Sequence, residues 1–315
     1  MSDTQPAADP AIEQLHTLCD FIRLGVSRFR RAGVFFGHGT DNAWDEAVQL
    51  VLHAAGLPWD VNPEALDARL LEAEKEQVLA LFQRRIDERI PAPYLIGEAW
   101  FCGIPFNVDE RVLVPRSPIA QLIQQGFAPW LDGIEVTQVM DLCTGSGCIG
   151  IACAQLFDTA KVDLLDISTD ALMVCDSNIE RHGLTDRVHA LQSDLFDAVE
   201  PSQQYQLIVS NPPYVDQQDY DQMPAEFGHE PKLGLTSGAD GLDICYRILA
   251  QAANYLSDDG LLVVEIGNSE AALREQLPDA PLMWAELPEG GNGVFMITAY
   301  DLQQLAATLI PKCGR

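Results

Sequence analysis

The chain has 315 residues and a formal net charge of −28, from 47 acidic against 19 basic side chains. Binders of duplex DNA and bare RNA usually carry a basic patch, so this balance argues against direct nucleic-acid binding. A strongly acidic protein attracts a basic protein partner, although solubility alone also explains such a charge. The eight cysteines form neither a CxxC pair nor a Cys/His cluster, so we predict no metal site.

The length suits two domains with a large core. No signal peptide opens the sequence, and no uncharged apolar run is long enough to span a bilayer. We therefore predict a cytoplasmic protein with no membrane partner, in which the cysteines stay reduced. The oligomeric state is left open by the sequence.

Residues 1–90 predict a small helical domain. Residues 1–9 are polar and are expected to fray. Apolar residues then recur at helical spacing over 11–31, and Asn42 can cap the helix that follows it. Two more helices are predicted, over 63–70 and 73–88. Because this region shows no catalytic constellation, we predict that it recognises the substrate.

A linker is predicted over residues 91–117. Two prolines punctuate its start, and residues 100–114 alternate like a β-hairpin with a turn near Gly103 or Asp109. The linker ends in a Pro-Arg-Ser-Pro stretch, where Pro118 can begin a helix. We assign residues 118–315 to a single catalytic domain.

In that domain, strands and helices alternate from residue 136. Apolar, β-branched runs predict strands over 136–142, 161–166, 188–193, 205–210 and 261–266. Such alternation predicts a parallel, doubly wound α/β sheet. Residues 217–241 form a long, acid-rich segment, which we interpret as a lid over the substrate. Its Glu230 is interpreted as a solvated charge.

The first predicted strand ends at Asp141 and runs into a glycine-rich turn that contains Thr144, Gly145 and Gly147. Strand, turn and helix are the parts of a nucleotide-binding βα unit. The spacing is not GxGxxG, and no Walker lysine follows, so a dinucleotide oxidoreductase and a phosphate cradle are both disfavoured. The next strand ends in Asp166, and an acid at such a position can accept hydrogen bonds from ribose hydroxyls. The third strand is closed by Ser193-Asp194, where an adenine can be met.

The fourth strand is followed by Asn211-Pro212-Pro213-Tyr214. Two successive prolines cannot donate to a sheet ladder, so the strand has to end there. The resulting lip offers a side-chain amide, free carbonyls and an aromatic ring, which suit a planar NH2 group on a carbonyl or a ring. Taken alone, the tetrapeptide also fits a strand-ending turn with a packing tyrosine.

In this order and spacing, the motifs resemble those of class I S-adenosylmethionine-dependent methyltransferases, and the tetrapeptide is similar to that of enzymes acting on amide or exocyclic amino nitrogens. Three further stretches look like the signatures of protein glutamine methyltransferases that act on large-subunit ribosomal protein three: Phe36–Asn42, Leu113–Ile119 and His229–Leu235. Release-factor glutamine methyltransferases usually carry a different, acid-bearing stretch at the second of these. The resemblance covers nearly the whole chain.

This resemblance implies a Rossmann-like doubly wound sheet with an N-terminal helical domain and a hairpin linker. It also implies that the first and fourth strands are neighbours and that 283–287 and 294–298 form a final antiparallel pair. The implied catalytic residues are Asn211, Pro212 and Tyr214. The implied cofactor is S-adenosylmethionine, held by Asp141, Thr144, Gly145, Gly147, Asp166, Asp194 and Asn211.

The implied reaction is methylation of a glutamine side-chain amide in large-subunit ribosomal protein three. Three alternatives stay open: a release-factor glutamine methyltransferase, a nucleic-acid adenine methyltransferase, and a ribosome-assembly protein that merely keeps the fold. The absence of basic patches disfavours the second, and an intact site disfavours the third. Arg116 is either an ion-pair partner or, as the resemblance suggests, a contact to the cofactor pocket.

Overall fold

The computed structural model describes residues 9–309, the last four without their side chains. They form two compact units. The helical unit comprises the residues up to Gly97 together with Pro224–His229, and the sheet unit comprises Glu98–Met223 and the residues from Glu230 onward. No helix within residues 9–309 has the length and apolar character needed to cross a membrane.

The helical unit packs around aromatic and aliphatic side chains. Phe29 and Phe82 are fully buried and meet edge to face, with ring centroids 5.1 Å apart. Gly25 makes room for the Phe82 ring, because an added Cβ at Gly25 would lie 2.6 Å from Phe82 Cζ. The helices are α1 (Ala11–Gln14), α2 (Leu18–Ala32), α3 (Ala43–Ala54), α4 (Glu72–Asp87) and α5 (Ala92–Ile96), with 3-10 turns at Pro63–Asp67 and Ala225–His229.

The N-terminal helices depart from the prediction in three places. The single helix predicted over 11–31 is wrong, because Thr17 and Asp20 form a capping box that starts α2 anew. The segment predicted as helical over 63–70 is only a 3-10 turn. The short α5 occupies a region predicted as linker. Of residues 1–9, expected to fray, residues 1–8 lie outside the described part, and Asp9 pairs with Arg28 at 2.6 Å.

In the sheet unit, a hairpin precedes the central sheet. Strands β1 (Glu98–Phe101) and β2 (Ile104–Asn107) pair in antiparallel fashion. The chain reverses between them at Cys102 and Gly103, which have φ values of 48° and 79°. The turn therefore lies at Gly103, the first of the two predicted positions.

The central sheet has seven strands in the order β5-β4-β3-β6-β7-β9-β8. The first five in sequence are parallel and the last two are antiparallel, which confirms the predicted doubly wound α/β fold and its final pair. The strands are β3 (Gln138–Leu142), β4 (Lys161–Asp166), β5 (Val188–Gln192), β6 (Tyr205–Ser210), β7 (Leu256–Glu265), β8 (Met283–Trp284) and β9 (Val294–Thr298).

Helices precede, connect and follow the strands of this sheet. They are α6 (Ile119–Gln124), α7 (Cys148–Leu156), α8 (Thr169–Arg181), α9 (Gln217–Asp221), α10 (Asp243–Gln251), α11 (Glu270–Gln276) and α12 (Ala299–Leu309). A buried cluster that includes Ile208, Leu262 and Phe295 packs beneath α10 and α12. The segment predicted as an irregular lid contains α9 and a further 3-10 turn at Lys232–Gly234. Its Pro224–His229 stretch belongs to the helical unit.

Candidate active site

The predicted motifs meet at the carboxyl edge of the sheet, because β3 and β6 are neighbours. Leu142 and Ser210 are register partners at the ends of these strands. The Ser210 hydroxyl donates to the Leu142 carbonyl at 2.8 Å, which ties the two strand ends together. The glycine-rich turn and the Asn-Pro-Pro-Tyr lip therefore leave the sheet side by side.

Asp141 and Thr144 shape the glycine-rich turn from within. Asp141 Oδ2 accepts hydrogen bonds from the Thr144 hydroxyl at 2.6 Å and from the Gly150 amide at 2.9 Å. Burial raises the pKa of Asp141 to about 7. Gly150 has to be glycine, since an added Cβ would lie 2.1 Å from Leu164 Cδ2. Direct contacts of Asp141 and Thr144 with a cofactor stay a prediction.

Gly145 and Asp166 are brought together by the structure. The Gly145 amide donates to Asp166 Oδ2, and the Ser168 amide donates to Asp166 Oδ1, each at 2.9 Å. Gly145 has a φ of +56°, and an added Cβ would meet no protein atom within 4 Å. Bare backbone beside a half-buried acid thus faces open space, which is the arrangement a ribose-bearing cofactor requires. Burial raises the pKa of Asp166.

Gly147 and Asp194 complete the predicted cofactor set. Gly147 has a φ of +82° and precedes α7, and an added Cβ there would lie 2.8 Å from Cys175 Sγ. Asp194 follows β5 and lies next to the end of β4, because the Ser193 amide donates to the Asp166 carbonyl at 2.9 Å. Asp194 also pairs with Arg247 at 2.8 Å, a contact that the sequence did not predict.

Asn211 and Tyr214 differ in how they are held. Within residues 9–309, the Asn211 side chain has no hydrogen-bonding partner, so both of its polar atoms are available to a ligand. Pro212 is buried. The Tyr214 hydroxyl donates to Glu265 Oε1 at 3.1 Å, and burial together with that carboxylate raises the pKa of Tyr214. The phenol therefore stays protonated and serves as a donor.

Glu265, which ends β7, is a site residue that sequence reasoning missed. Its Oε2 accepts a hydrogen bond of 2.5 Å from the Ser117 hydroxyl. Burial raises its pKa to about 7 against the opposing effects of Ser117, Tyr214 and Arg116. A signal was present, because Glu265 is the one acid in the run Leu261–Ile266. Like Asp166, it ends a buried parallel strand.

Arg116 forms an ion pair with Glu230, which confirms the prediction that it is an ion-pair partner. Its Nη1 and Nη2 donate to the two carboxylate oxygens of Glu230 at 2.6 and 2.7 Å. The Val114 amide adds a bond of 3.0 Å to the same carboxylate. The prediction that Glu230 is a solvated charge is wrong, since its side chain is fully buried and doubly paired. A contact of Arg116 with a cofactor stays a prediction.

No group of three or more metal-ligating side chains occurs among residues 9–309. The chemistry available at the edge of the sheet therefore comes from carboxylates, hydroxyls, backbone amides and the Asn211 amide. These groups can bind and orient a ligand by hydrogen bonding, and they add negative charge close to it.

Comparison with known proteins identifies the family of this chain. Residues 125–240 match the family model of the methyltransferase small domain. The chain is 49% identical over 299 residues to the ribosomal protein uL3 glutamine methyltransferase of Francisella tularensis subsp. tularensis (strain SCHU S4 / Schu 4), covering 95% of each. It is 53% identical over 293 residues to the protein of that name from Xanthomonas campestris pv. campestris, covering 93% of this chain and 94% of the relative.

Among solved structures, the catalytic domain of hMettl16 in complex with the MAT2A 3′UTR hairpin 6 matches at 16% identity and a TM-score of 0.49. The match covers 76% of this chain and 87% of that one. A likeness at this level has no bearing on substrate.

The two full-length relatives do decide the family, because each shares about half of its residues with this chain along nearly its whole length. The chain belongs to the ribosomal protein uL3 glutamine methyltransferase family.

Proposed function

We propose that this chain methylates the side-chain amide nitrogen of a glutamine in ribosomal protein uL3, with S-adenosylmethionine as the donor. The observation that carries the proposal is the unpartnered Asn211 amide beside the glycine-rich turn, in a chain with the similarity described above. The relatives' names do not favour a release-factor substrate. The net charge of −28 suits a basic protein substrate and disfavours a nucleic acid.

The donor site is proposed to lie along the turn and the two acids that follow β4 and β5. The Gly145 backbone and Asp166 fit a ribose, since they form a hydrogen-bonded pair that faces open space. Asp194 is proposed to meet the base, while Asp141 and Thr144 act by holding the turn in shape. When bound, S-adenosylmethionine supplies a methyl group on a positively charged sulfur.

Orientation of the glutamine is the main task of the lip. An amide nitrogen is a poor nucleophile, because its lone pair is delocalised into the carbonyl. If the Asn211 side-chain oxygen and the Pro212 carbonyl each accept one amide hydrogen, the remaining lobe of the nitrogen faces the methyl group. Tyr214 packs on the amide plane. The nitrogen forms its bond to carbon as the carbon–sulfur bond breaks, and the nitrogen then releases a proton that has become acidic.

The helical unit is proposed to select the protein substrate, as predicted from its lack of catalytic residues. A role of 217–241 as a lid, and a cytoplasmic location, likewise stay predictions.

Asn211→Ala tests the proposal. The resemblance also implied a cofactor contact for Asn211, but the proposal gives its amide to the glutamine and the donor to the turn and the two acids. The substitution leaves these, the strand and both prolines in place, so donor affinity measured by calorimetry should change little. Transfer of labelled methyl to purified uL3 should fall by about a hundredfold or more, since one preorganised hydrogen-bonding group is lost. Asn254→Ala, at an exposed asparagine of the same unit, is the matched control and should transfer at the wild-type rate. A near wild-type rate for Asn211→Ala would rule out this account of the site.

A further inference from the structure

The carboxylate of Glu265 joins two segments that are far apart in the sequence. One oxygen accepts the Tyr214 hydroxyl at 3.1 Å, and the other accepts the Ser117 hydroxyl at 2.5 Å. Glu265 is only 4% exposed and Ser117 only 5%. Tyr214 belongs to the lip, and Ser117 precedes α6. A single buried group therefore links the lip to the segment before α6.

The backbone of Tyr214 is held independently of that link. Its amide donates to the Leu235 carbonyl at 3.1 Å, and its carbonyl accepts the Ser269 hydroxyl at 2.8 Å. These bonds position the main chain but leave the ring free to rotate about its side-chain torsions. The orientation of the ring has to be set by its own contacts.

One contact of the Tyr214 ring is with the backbone of Gly267, which packs against Gly293. An added Cβ at Gly267 would lie 2.5 Å from Tyr214 Cε2, so the ring lies directly on the backbone of Gly267. Gly293 in turn packs closely against the backbone of Gly267, since an added Cβ at Gly293 would lie 2.2 Å from the Gly267 carbonyl oxygen. This glycine pair limits the approach of the ring, and the hydrogen bond to Glu265 fixes where its hydroxyl end lies.

Packing alone does not account for an acid at this position. Burial of a carboxylate is unfavourable, and a well-packed apolar side chain would avoid that penalty. Nearby, Arg116 gives both of its Nη atoms to Glu230 rather than to Glu265. The donors to Glu265 are two hydroxyls, which are weaker partners for a carboxylate than a guanidinium is. Because burial of the Glu265 carboxylate is unfavourable, we expect this residue to contribute to the function of the site.

We propose that Glu265 is a positioning residue, which fixes the plane of the Tyr214 ring against which the substrate amide packs. Ser117 is the second support, since it holds the carboxylate in the orientation that Tyr214 requires. The inference rests on the proposed function, because it assigns Tyr214 to packing on the glutamine. Glu265 itself does not touch the reacting atoms.

Glu265→Gln, Tyr214→Phe and their double variant test the coupling. Tyr214→Phe removes the hydrogen bond, and Glu265→Gln weakens it, because a neutral amide oxygen is a weaker acceptor than a carboxylate. Tyr214→Phe should therefore lower kcat by about tenfold and Glu265→Gln by less, because a small misplacement of a positioning group slows the reaction strongly. Donor affinity, measured by calorimetry, should stay at the wild-type value. In the Tyr214→Phe background, Glu265→Gln should change kcat by less than about twofold, because residues that act through one contact are not additive.

Tyr205→Phe is the matched control. The Tyr205 hydroxyl donates to Asp163 Oδ2 at 2.7 Å, which is another tyrosine–carboxylate bond of the same sheet, and Tyr205 begins β6 at the opposite end from the lip. Loss of that bond should leave kcat unchanged. If Glu265→Gln fails to fold, the same cycle is run with Ser117→Ala, which should lower kcat less and should lose its effect in the Tyr214→Phe background.

A second measurement needs no activity. In protein labelled with carbon-13 at the tyrosine ring, the Tyr214 resonance is assigned from its loss in Tyr214→Phe, and it should shift in Glu265→Gln. Additive effects on kcat, or an unshifted resonance, would overturn the inference while leaving the proposed function intact. A wild-type chain that transfers no methyl to uL3 would overturn the proposed function, and the resonance would still decide whether Glu265 holds the ring.

Discussion

The two units of this protein bury carboxylates in different ways. In the helical unit, Glu46 and Glu226 surround Arg85, and none of these side chains is more than 3% exposed. Arg85 Nε donates to Glu46 at 2.7 Å and Nη1 to Glu226 at 3.2 Å, while Nη2 donates to the Phe35 carbonyl at 2.6 Å. Each carboxylate thus has a guanidinium partner, and Arg89 lies a further 3.6 Å from Glu226.

At the carboxyl edge of the sheet, Asp141, Asp166 and Glu265 lack such an ion-pair partner, although the charge of Arg116 acts on Glu265 from a distance. Among the described residues 9–309, each accepts hydrogen bonds from amides or hydroxyls and none forms an ion pair. Burial raises the pKa of all three. The comparison separates two uses of buried charge. A paired cluster holds the helical unit together, whereas the acids at the edge hold parts of the site: Asp141 and Asp166 accept hydrogen bonds from the glycine-rich turn, and Glu265 accepts the Tyr214 hydroxyl.

The largest effect is expected from breaking the paired cluster. Arg85→Met leaves Glu46 buried without its cation and leaves Glu226 with only Arg89, 3.6 Å away, and should lower the free energy of unfolding by about 3–5 kcal/mol. Urea unfolding followed by circular dichroism measures this. Arg84→Met is the control, because Arg84 is half exposed and its pairing with Glu88 contributes about 0–1 kcal/mol. A loss below about 1 kcal/mol for Arg85→Met would contradict the view that the paired cluster stabilises the helical unit.

Substitution of Glu265 is expected to change the free energy of unfolding in the opposite direction. Its pKa in the folded protein is about 7, above the ordinary value of 4.5. The folded state therefore binds this proton more tightly than the unfolded state. The stability that the proton contributes is fully present below pH 4.5 and is lost as pH rises through 7.

Glu265→Gln removes this penalty and should raise the stability of the fold at pH 8 relative to wild type. The gain should be smaller by about 3 kcal/mol at pH 4 than at pH 8. Urea unfolding of both proteins across this range measures the difference. Parallel stability curves for the two proteins would show that Glu265 does not titrate as described.

A smaller effect is expected on donor binding. Asp166→Ala removes a proposed acceptor for ribose hydroxyls and should weaken S-adenosylmethionine binding by about 1–3 kcal/mol. Asp170→Ala, at an exposed acid in the first turn of α8, is the control and should bind as wild type. Calorimetry on both variants decides the assignment. Unchanged affinity for Asp166→Ala would remove Asp166 from the donor site.

Much of the site could be predicted because its signals are local. Successive prolines end β6 wherever the strand lies, and positive φ at Gly145 and Gly147 is a property of the turn itself. The alternation of strands and helices predicted the parallel sheet, and the family resemblance predicted that β3 and β6 are neighbours. The capping box that separates α1 from α2 was also visible as Thr17 and Asp20, and was missed because the apolar spacing continues through it.

The contacts that sequence reasoning missed join residues that are remote along the chain. Arg85 is 39 residues from Glu46 and 141 from Glu226, and Ser117 is 148 residues from Glu265. No spacing rule reaches over such distances. The same limit explains the wrong prediction for Glu230, since its partner Arg116 is 114 residues away.

Local signals in the sequence predicted the strands of the sheet, the glycine-rich turn and the lip, because backbone preference and hydrophobic periodicity act within a few residues. Which buried acids form ion pairs became clear only from the tertiary structure. Whether a buried carboxylate meets a guanidinium, as Glu226 does, or only hydroxyls, as Glu265 does, depends on which strand ends and loops the fold brings together. Burial and the choice of partner set the pKa of each group, and both are properties of the packed chain.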